Sequence, residues 1–99
     1  LEGCNMMGAN FSRAKLENAD ARKCNFEDSA TGKGANFGGA NLNSTVFEDS
    51  NLSKANLRVA SLRSSNLRNC NLRNAVLAGA DLRVCFFFFF FFFFFFFFF

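Results

Sequence analysis

A large apolar side chain recurs every fifth residue along this chain, and a small one stands two positions before each. The large positions are Leu1, Met6, Phe11, Leu16, Phe26, Phe37, Leu42, Phe47, Leu52, Leu57, Leu62, Leu67, Leu72, Leu77 and Leu82, with Ala21 the one undersized member. Ala, Cys, Ser and Thr fill the small positions, from Cys4 and Ala9 to Ala75 and Ala80. An Asn most often separates the two, as at Asn5, Asn10, Asn36, Asn56 and Asn71. A period of five matches neither the turn of a helix, about 3.6 residues, nor the two-residue alternation of a strand.

Such a chain buries every fifth residue only if it turns a corner in each unit. Four short faces then close into a square coil of roughly twenty residues, stacked on the next at the strand spacing of about 4.8 Å. Side-chain alternation sends the large residue and its small partner inward. The Asn position and the two residues after the large one point outward or shape the corner, where Asn and Asp tolerate turn geometry. The absence of Pro suits a backbone whose donors are all needed. An amphipathic helix would scatter steps of five around its surface, and a leucine-rich repeat needs a period of about 20–29. The pattern therefore predicts an all-β quadrilateral solenoid of about four coils.

The register slips once. Phe26 and Phe37 are eleven residues apart, and the polar, glycine-containing stretch 27–34 between them reads as one degenerate repeat plus one extra residue, bulged at a corner. Absorbing that insert predicts four columns: Leu1, Ala21, Leu42, Leu62, Leu82; Met6, Phe26, Phe47, Leu67; Phe11, a weak position near Thr31, Leu52, Leu72; and Leu16, Phe37, Leu57, Leu77. Cys4 and Cys24 become vertical neighbours, a separation compatible with a disulfide. Their place in the small inward column favours buried thiols acting as small hydrophobes. With no Cys-x-x-Cys and no His, no metal site is expected.

The chain opens at Leu1, already in register, so upstream sequence is expected. Phe86–Phe99 is an unbroken run of fourteen Phe. It cannot alternate, falls short of the roughly twenty residues a membrane span needs, and lacks the flanks of a targeting signal. It reads as a single-codon run past a true coding end, prone to aggregation. The expected division is a β-helix over 1–85 and a non-functional tract over 86–99.

The formal charge of +3 is unevenly distributed. Residues 1–54 carry six basic and seven acidic side chains, whereas 55–85 carry Arg58, Arg63, Arg68, Arg73 and Arg83 against Asp81 alone. Successive arginines five apart fall on successive faces, and only Arg63 and Arg83 share one. A nucleic-acid site wants its cations along one groove, so a solvated surface is the better reading. Glu27-Asp28 and Glu48-Asp49 are expected to share a column as a small acidic patch. Catalytic signals are missing: no His, no nucleophile–base pair and no phosphate-cradling loop. No enzyme activity and no cofactor are expected.

The pattern A-N-L-x-x at Ala40-Asn41-Leu42, Ala55-Asn56-Leu57 and Ala80-Asp81-Leu82 resembles the pentapeptide-repeat family across residues 1–85. The resemblance implies a right-handed quadrilateral β-helix. One family function, mimicry of duplex DNA against bacterial topoisomerase, needs an acidic rod, and this near-neutral to basic surface speaks against it. From Cys24-Asn25-Phe26-Glu27-Asp28 through Leu77-Ala78-Gly79-Ala80-Asp81-Leu82, the chain also resembles the repeat region of an animal KCTD-family protein, which carries a BTB domain ahead of its repeats. That likeness implies an intracellular location, cytoplasmic or nuclear. It further implies a protein-interaction module serving as the substrate-binding arm of a Cullin-3 ubiquitin-ligase adaptor. The partner would be a ubiquitination substrate, and Cullin-3 would be reached only through a BTB domain outside this chain. The expected contact surface is Arg58, Arg63, Arg68, Arg73, Glu48 and Asp49, with the insert. The alternative is a stand-alone structural or binding solenoid.

Overall fold

The computed structural model describes residues 3–28 and 30–85; the Phe86–Phe99 tract lies outside them. The backbone winds as a right-handed β-helix with four flat faces per coil. Each face contributes one parallel bridge per coil. The first face stacks Asn5, Asn25, Asn51 and Asn71; the second Asn10, Asn36, Asn56 and Val76; the third Lys15, Asn41, Ser61 and Asp81; the fourth Asp20, Val46 and Asn66. Between faces the large residue's carbonyl accepts from the amide three residues on, as in Ala40 N to Phe37 O at 3.0 Å and Ala60 N to Leu57 O at 3.1 Å.

The fifth residue of each unit is the left-handed one. Its φ is positive at Arg13, Asn18, Lys23, Ser44, Asp49, Lys54, Val59, Ser64, Asn69, Asn74 and Val84, and at Gly3, Gly8, Gly39 and Gly79. One positive φ at the third position of a hydrogen-bonded four-residue turn is type II geometry. The corner strain therefore does not fall on the Asn column. Those side chains instead accept from the amide two residues on: Asn36 Oδ1 from Gly38 N at 2.9 Å and Asn56 Oδ1 from Arg58 N at 3.0 Å. They also bridge coils, with Asn56 Nδ2 donating to Asn36 Oδ1 and Asn51 Nδ2 to Asn25 Oδ1, both at 3.1 Å.

The interior is filled as the spacing requires. Phe26, Phe37, Leu42, Phe47, Leu52, Leu57, Leu62 and Leu67 are all buried, and so are Ala35, Ala40, Ala55 and Ala60. Met6, Phe11 and Leu16 in the first coil are only partly covered. Three phenyl rings share the second coil, with Phe26–Phe37 at 5.3 Å and Phe37–Phe47 at 5.9 Å edge to face, and Phe11 stacks on Phe37 at 5.1 Å. Polar members of the small column reach the corner carbonyl one coil back: Thr45 Oγ1 to Leu16 O at 2.9 Å, Ser50 Oγ to Ala21 O, Cys70 Sγ to Phe47 O and Cys85 Sγ to Leu62 O, the last two at 2.8 Å. Ser, Thr and Cys thus replace Ala without leaving an orphaned donor, and among the described residues no buried side-chain N or O lacks a partner.

The insert departs from expectation. Pairing across it advances by 26 residues (Asn10 with Asn36, Lys15 with Asn41) where other coils advance by 20. Six residues, not one, are thrown out as a hairpin closed by an antiparallel Asp28–Lys33 bridge. Thr31 is exposed in that hairpin rather than a coil position. The columns after the insert therefore shift by one face. Ala21 lies in register with Phe47, Met6 and Phe26 with Leu52 and Leu72, Phe11 with Phe37, and Leu16 with Leu42.

Candidate interaction surface

With the interior closed by Leu, Phe and Ala, chemistry is left to the outward positions, most densely at the corners. Arg58, Arg63, Arg68 and Arg73 occupy four successive corners of one coil, and all four are exposed. Their carbonyls accept from the preceding coil, from Gly39, Ser44, Asp49 and Lys54 in turn, at 2.7 to 3.1 Å. The backbone under each guanidinium is thereby fixed while the side chain reaches into solvent. Arg63 and Arg83 share a corner as the sequence predicts, since Ser44 N bonds Arg63 O and Ser64 N bonds Arg83 O.

The acidic patch does not form. The six-residue hairpin puts Glu48-Asp49 on a different corner from Glu27-Asp28, because the register moved by one face. At its own corner Glu48 lies in register between Arg22 and Arg68, and Asp49 accepts from Asn69 Nδ2 at 2.7 Å. The order down that corner is basic, acidic, basic. Glu27 turns instead to its own neighbours: Lys54 Nζ stands 3.3 Å from Glu27 Oε2, and Asn51 Nδ2 donates to Glu27 Oε1 at 3.3 Å.

The hairpin is internally braced. Asp28 Oδ1 accepts from Ala30 N at 3.0 Å and Thr31 N at 3.4 Å, Gly32 N donates to Asp28 O, and Asp28 N to Lys33 O, both at 2.7 Å. Hydrogen bonding from Thr31 holds the Asp28 carboxyl below its usual range. Lys54, which the sequence reading did not single out, underpins this loop, with its side chain against Glu27 and its backbone against Gly34. No local signal marks Lys54, because its partner arrives through the loop.

Two further charged pairs share a Asp-x-Arg spacing that the sequence did display. Asp20 Oδ2 sits 2.8 Å from Arg22 Nη2, and Asp81 Oδ2 sits 2.6 Å from Arg83 Nη2. Each arginine side chain, reinforced by its own backbone amide, lowers its aspartate to about 2. The Asp81 carboxylate in turn raises the Arg83 guanidinium. Burial pushes the Cys70 thiol up to about 12, and it also raises Cys24 and Cys85. Among the described residues no three His, Cys, Asp or Glu side chains gather to hold a metal ion, and no helix is long and apolar enough to cross a membrane.

The family model for pentapeptide repeats matches eight copies, over residues 1–28, 33–69 and 60–87. The gap at 29–32 coincides with the hairpin tip. Among solved structures, the chain is similar to HetL, a pentapeptide repeat protein involved in heterocyst differentiation regulation from the cyanobacterium Nostoc sp. strain PCC 7120. The two share 30% identity over 86% of this chain and 37% of that one, with a TM-score of 0.77. It is also similar to trypsin-treated QnrB1, a plasmid-mediated fluoroquinolone resistance protein, at 31% identity over 85% of this chain and 40% of that one, with a TM-score of 0.80. The chain thus spans less than half the length of either protein. No curated protein matches it. Eight matched repeats over most of the chain, on a four-faced coil shared with both solved relatives, place it in one family: the chain belongs to the pentapeptide-repeat proteins.

Proposed function

We propose that this chain is a protein-binding solenoid whose contact surface is the corner arginines with the neighbouring Glu48-Asp49 pair. The observation that carries the reading is the single coil bearing Arg58, Arg63, Arg68 and Arg73, one exposed on each corner, with the backbone of each held to the preceding coil. Rigid presentation spares a binding surface much of the ordering entropy that a flexible one loses. Arginine is the cation best suited to protein interfaces, with a planar fork that matches carboxylates. No catalytic or cofactor-binding role is proposed. The net charge of +3 speaks against a DNA-mimicking surface. The cations encircle the coil rather than follow one groove, which argues against nucleic acid as the ligand.

The finer form of this reading makes the solenoid the substrate-recognition arm of a BTB/Cullin-3 ubiquitin-ligase adaptor inside the cell, its partner a ubiquitination substrate. That form rests on the sequence resemblance over residues 24–82 alone. A stand-alone binding solenoid is the alternative, and the upstream coding sequence separates the two. A BTB domain ahead of Leu1 is expected for the adaptor, and a complete reading frame without one ends it. The coarser proposal is tested by quantitative affinity capture with the chain and with a variant carrying Gln at Arg58, Arg63, Arg68 and Arg73. The expected outcome is a protein retained by the parent and lost by the variant at unchanged circular dichroism. Equal retention by both removes the arginine surface from the account.

A further inference from the structure

The bridge between Asn5 and Asn25 sets the first two coils at equal register on the first face. Cys4 and Cys24 each precede one of these residues, both belong to the small inward column, and Asn25 N donates to Cys4 O at 3.1 Å between them. Two inward positions at equal register on neighbouring strands stand about 4.8 Å apart at Cα, within the range a disulfide spans. Both are thiols here. Cys24 is buried at 2% exposure, whereas Cys4 lies in the first coil and is partly accessible. Neither of the other two cysteines adjoins this pair: Cys70 stands in the same column but beyond Ser50, and Cys85 lies on another face, under Ser65. Below Cys24 the column continues with Ser50, which cannot be oxidised this way.

We infer that Cys4 and Cys24 form a redox clasp that fastens the first coil to the second. With a low-molecular-weight disulfide as oxidant, the Cys4 thiolate attacks one sulfur and forms a mixed disulfide, releasing one thiol. The Cys24 thiolate then attacks the Cys4 sulfur, closing the Cys4–Cys24 bond and releasing the second thiol. Two protein thiols are oxidised, one external disulfide is reduced to two thiols, and the two protons end on the released thiols. The ring so closed is one coil of the solenoid. It staples to the second coil a first coil whose large residues Met6, Phe11 and Leu16 are only partly buried. Reduction releases the staple, so the stability of this end follows the thiol–disulfide poise of its surroundings.

The test incubates the full chain with glutathione disulfide and follows it by intact mass, non-reducing tryptic mapping and thermal melting. The expected result is loss of two hydrogens, a cross-link between the peptides 1–13 and 24–33, and a melting midpoint raised by on the order of ten degrees and restored by reductant. Cys4→Ser is expected to abolish the cross-link and the shift while leaving the reduced melting midpoint within about two degrees. Both thiols remaining reduced, Cys4 stopping at the mixed disulfide, or a Cys4–Cys4 dimer would each overturn the clasp.

Discussion

Gly34 lies so close to the Lys54 backbone that a Cβ added there would overlap the Lys54 carbonyl and approach Ala55 N well inside van der Waals contact. Here the ejected hairpin rejoins the coil, and the strand beneath cannot yield because Lys54 N bonds Arg73 O at 2.7 Å and Asn56 N bonds Ala35 O at 2.9 Å. Gly34→Ala is expected to destabilise by about 3 kcal/mol or more. Gly32→Ala, at φ +73 in the open hairpin, should cost only about 1 kcal/mol. Urea unfolding of the two variants measures the difference, and equal costs would place the close approach elsewhere.

Val59 is a β-branched residue held at φ +59 with 70% of its surface exposed. Its two methyls crowd a left-handed backbone that Asn tolerates, and little apolar burial rewards it. Val59→Asn is expected to stabilise the solenoid by about 1 kcal/mol, read as a higher urea midpoint at an unchanged slope. A loss of stability would show that Val59 is engaged by more than its corner.

The Asp20–Arg22 and Asp81–Arg83 pairs make stability depend on acid. Each carboxyl lies at about 2 in the fold against 3.8 ordinarily. The unfolded chain therefore binds more protons in between, and the contribution is present above about pH 4 and lost as pH falls through about 2. Replacing both aspartates by Asn keeps the acceptor for each turn amide but removes the charge. The double variant should lose less stability than the parent between about pH 5 and pH 2.5, with the gap narrowing in high salt because both pairs are exposed.

The five-residue period made the coil, its inward columns and the exposed corner arginines legible in advance, because each follows from which side of a short strand a side chain must take. The depth of the insert was not legible. Ejecting one residue or six leaves every later Leu and Phe in step, since the two differ by one whole repeat; only the face each occupies changes. What decides between them is where backbone pairing resumes, and that depends on Gly34 fitting against Lys54, a contact between residues twenty positions apart. The predicted patch of Glu27-Asp28 with Glu48-Asp49 failed for that reason alone. Lys54 escaped notice for the same reason, since its partner Glu27 is brought to it by the hairpin. The left-handed residue at the end of each unit was only half legible: Asn, Asp or Gly fills it at positions such as Asn18, Asp49, Asn69 and Gly79, but Arg, Lys, Ser and Val fill the others and blur the signal.

Cys70 donates its thiol to Phe47 O at 2.8 Å, and burial pushes it from 9.0 to about 12. A thiol whose folded value is raised stabilises below the unfolded value and loses that contribution as pH climbs from about 9 toward 12, because the unfolded chain gives up its proton first. The loss is about 1.4 kcal/mol by pH 10. Cys70→Ser keeps a donor for Phe47 O and does not ionise in that range. Its urea midpoint should therefore fall less than the parent's between about pH 8 and pH 10. Cys24 and Cys85 are raised in the same direction, so some alkaline loss persists in the variant. Alkylation under native conditions gives the independent check: Cys70 should react slower than Cys4, since its reactive thiolate is the form the buried site disfavours. Identical alkaline slopes in parent and variant would mean that the Cys70 site opens to water before its thiol ionises.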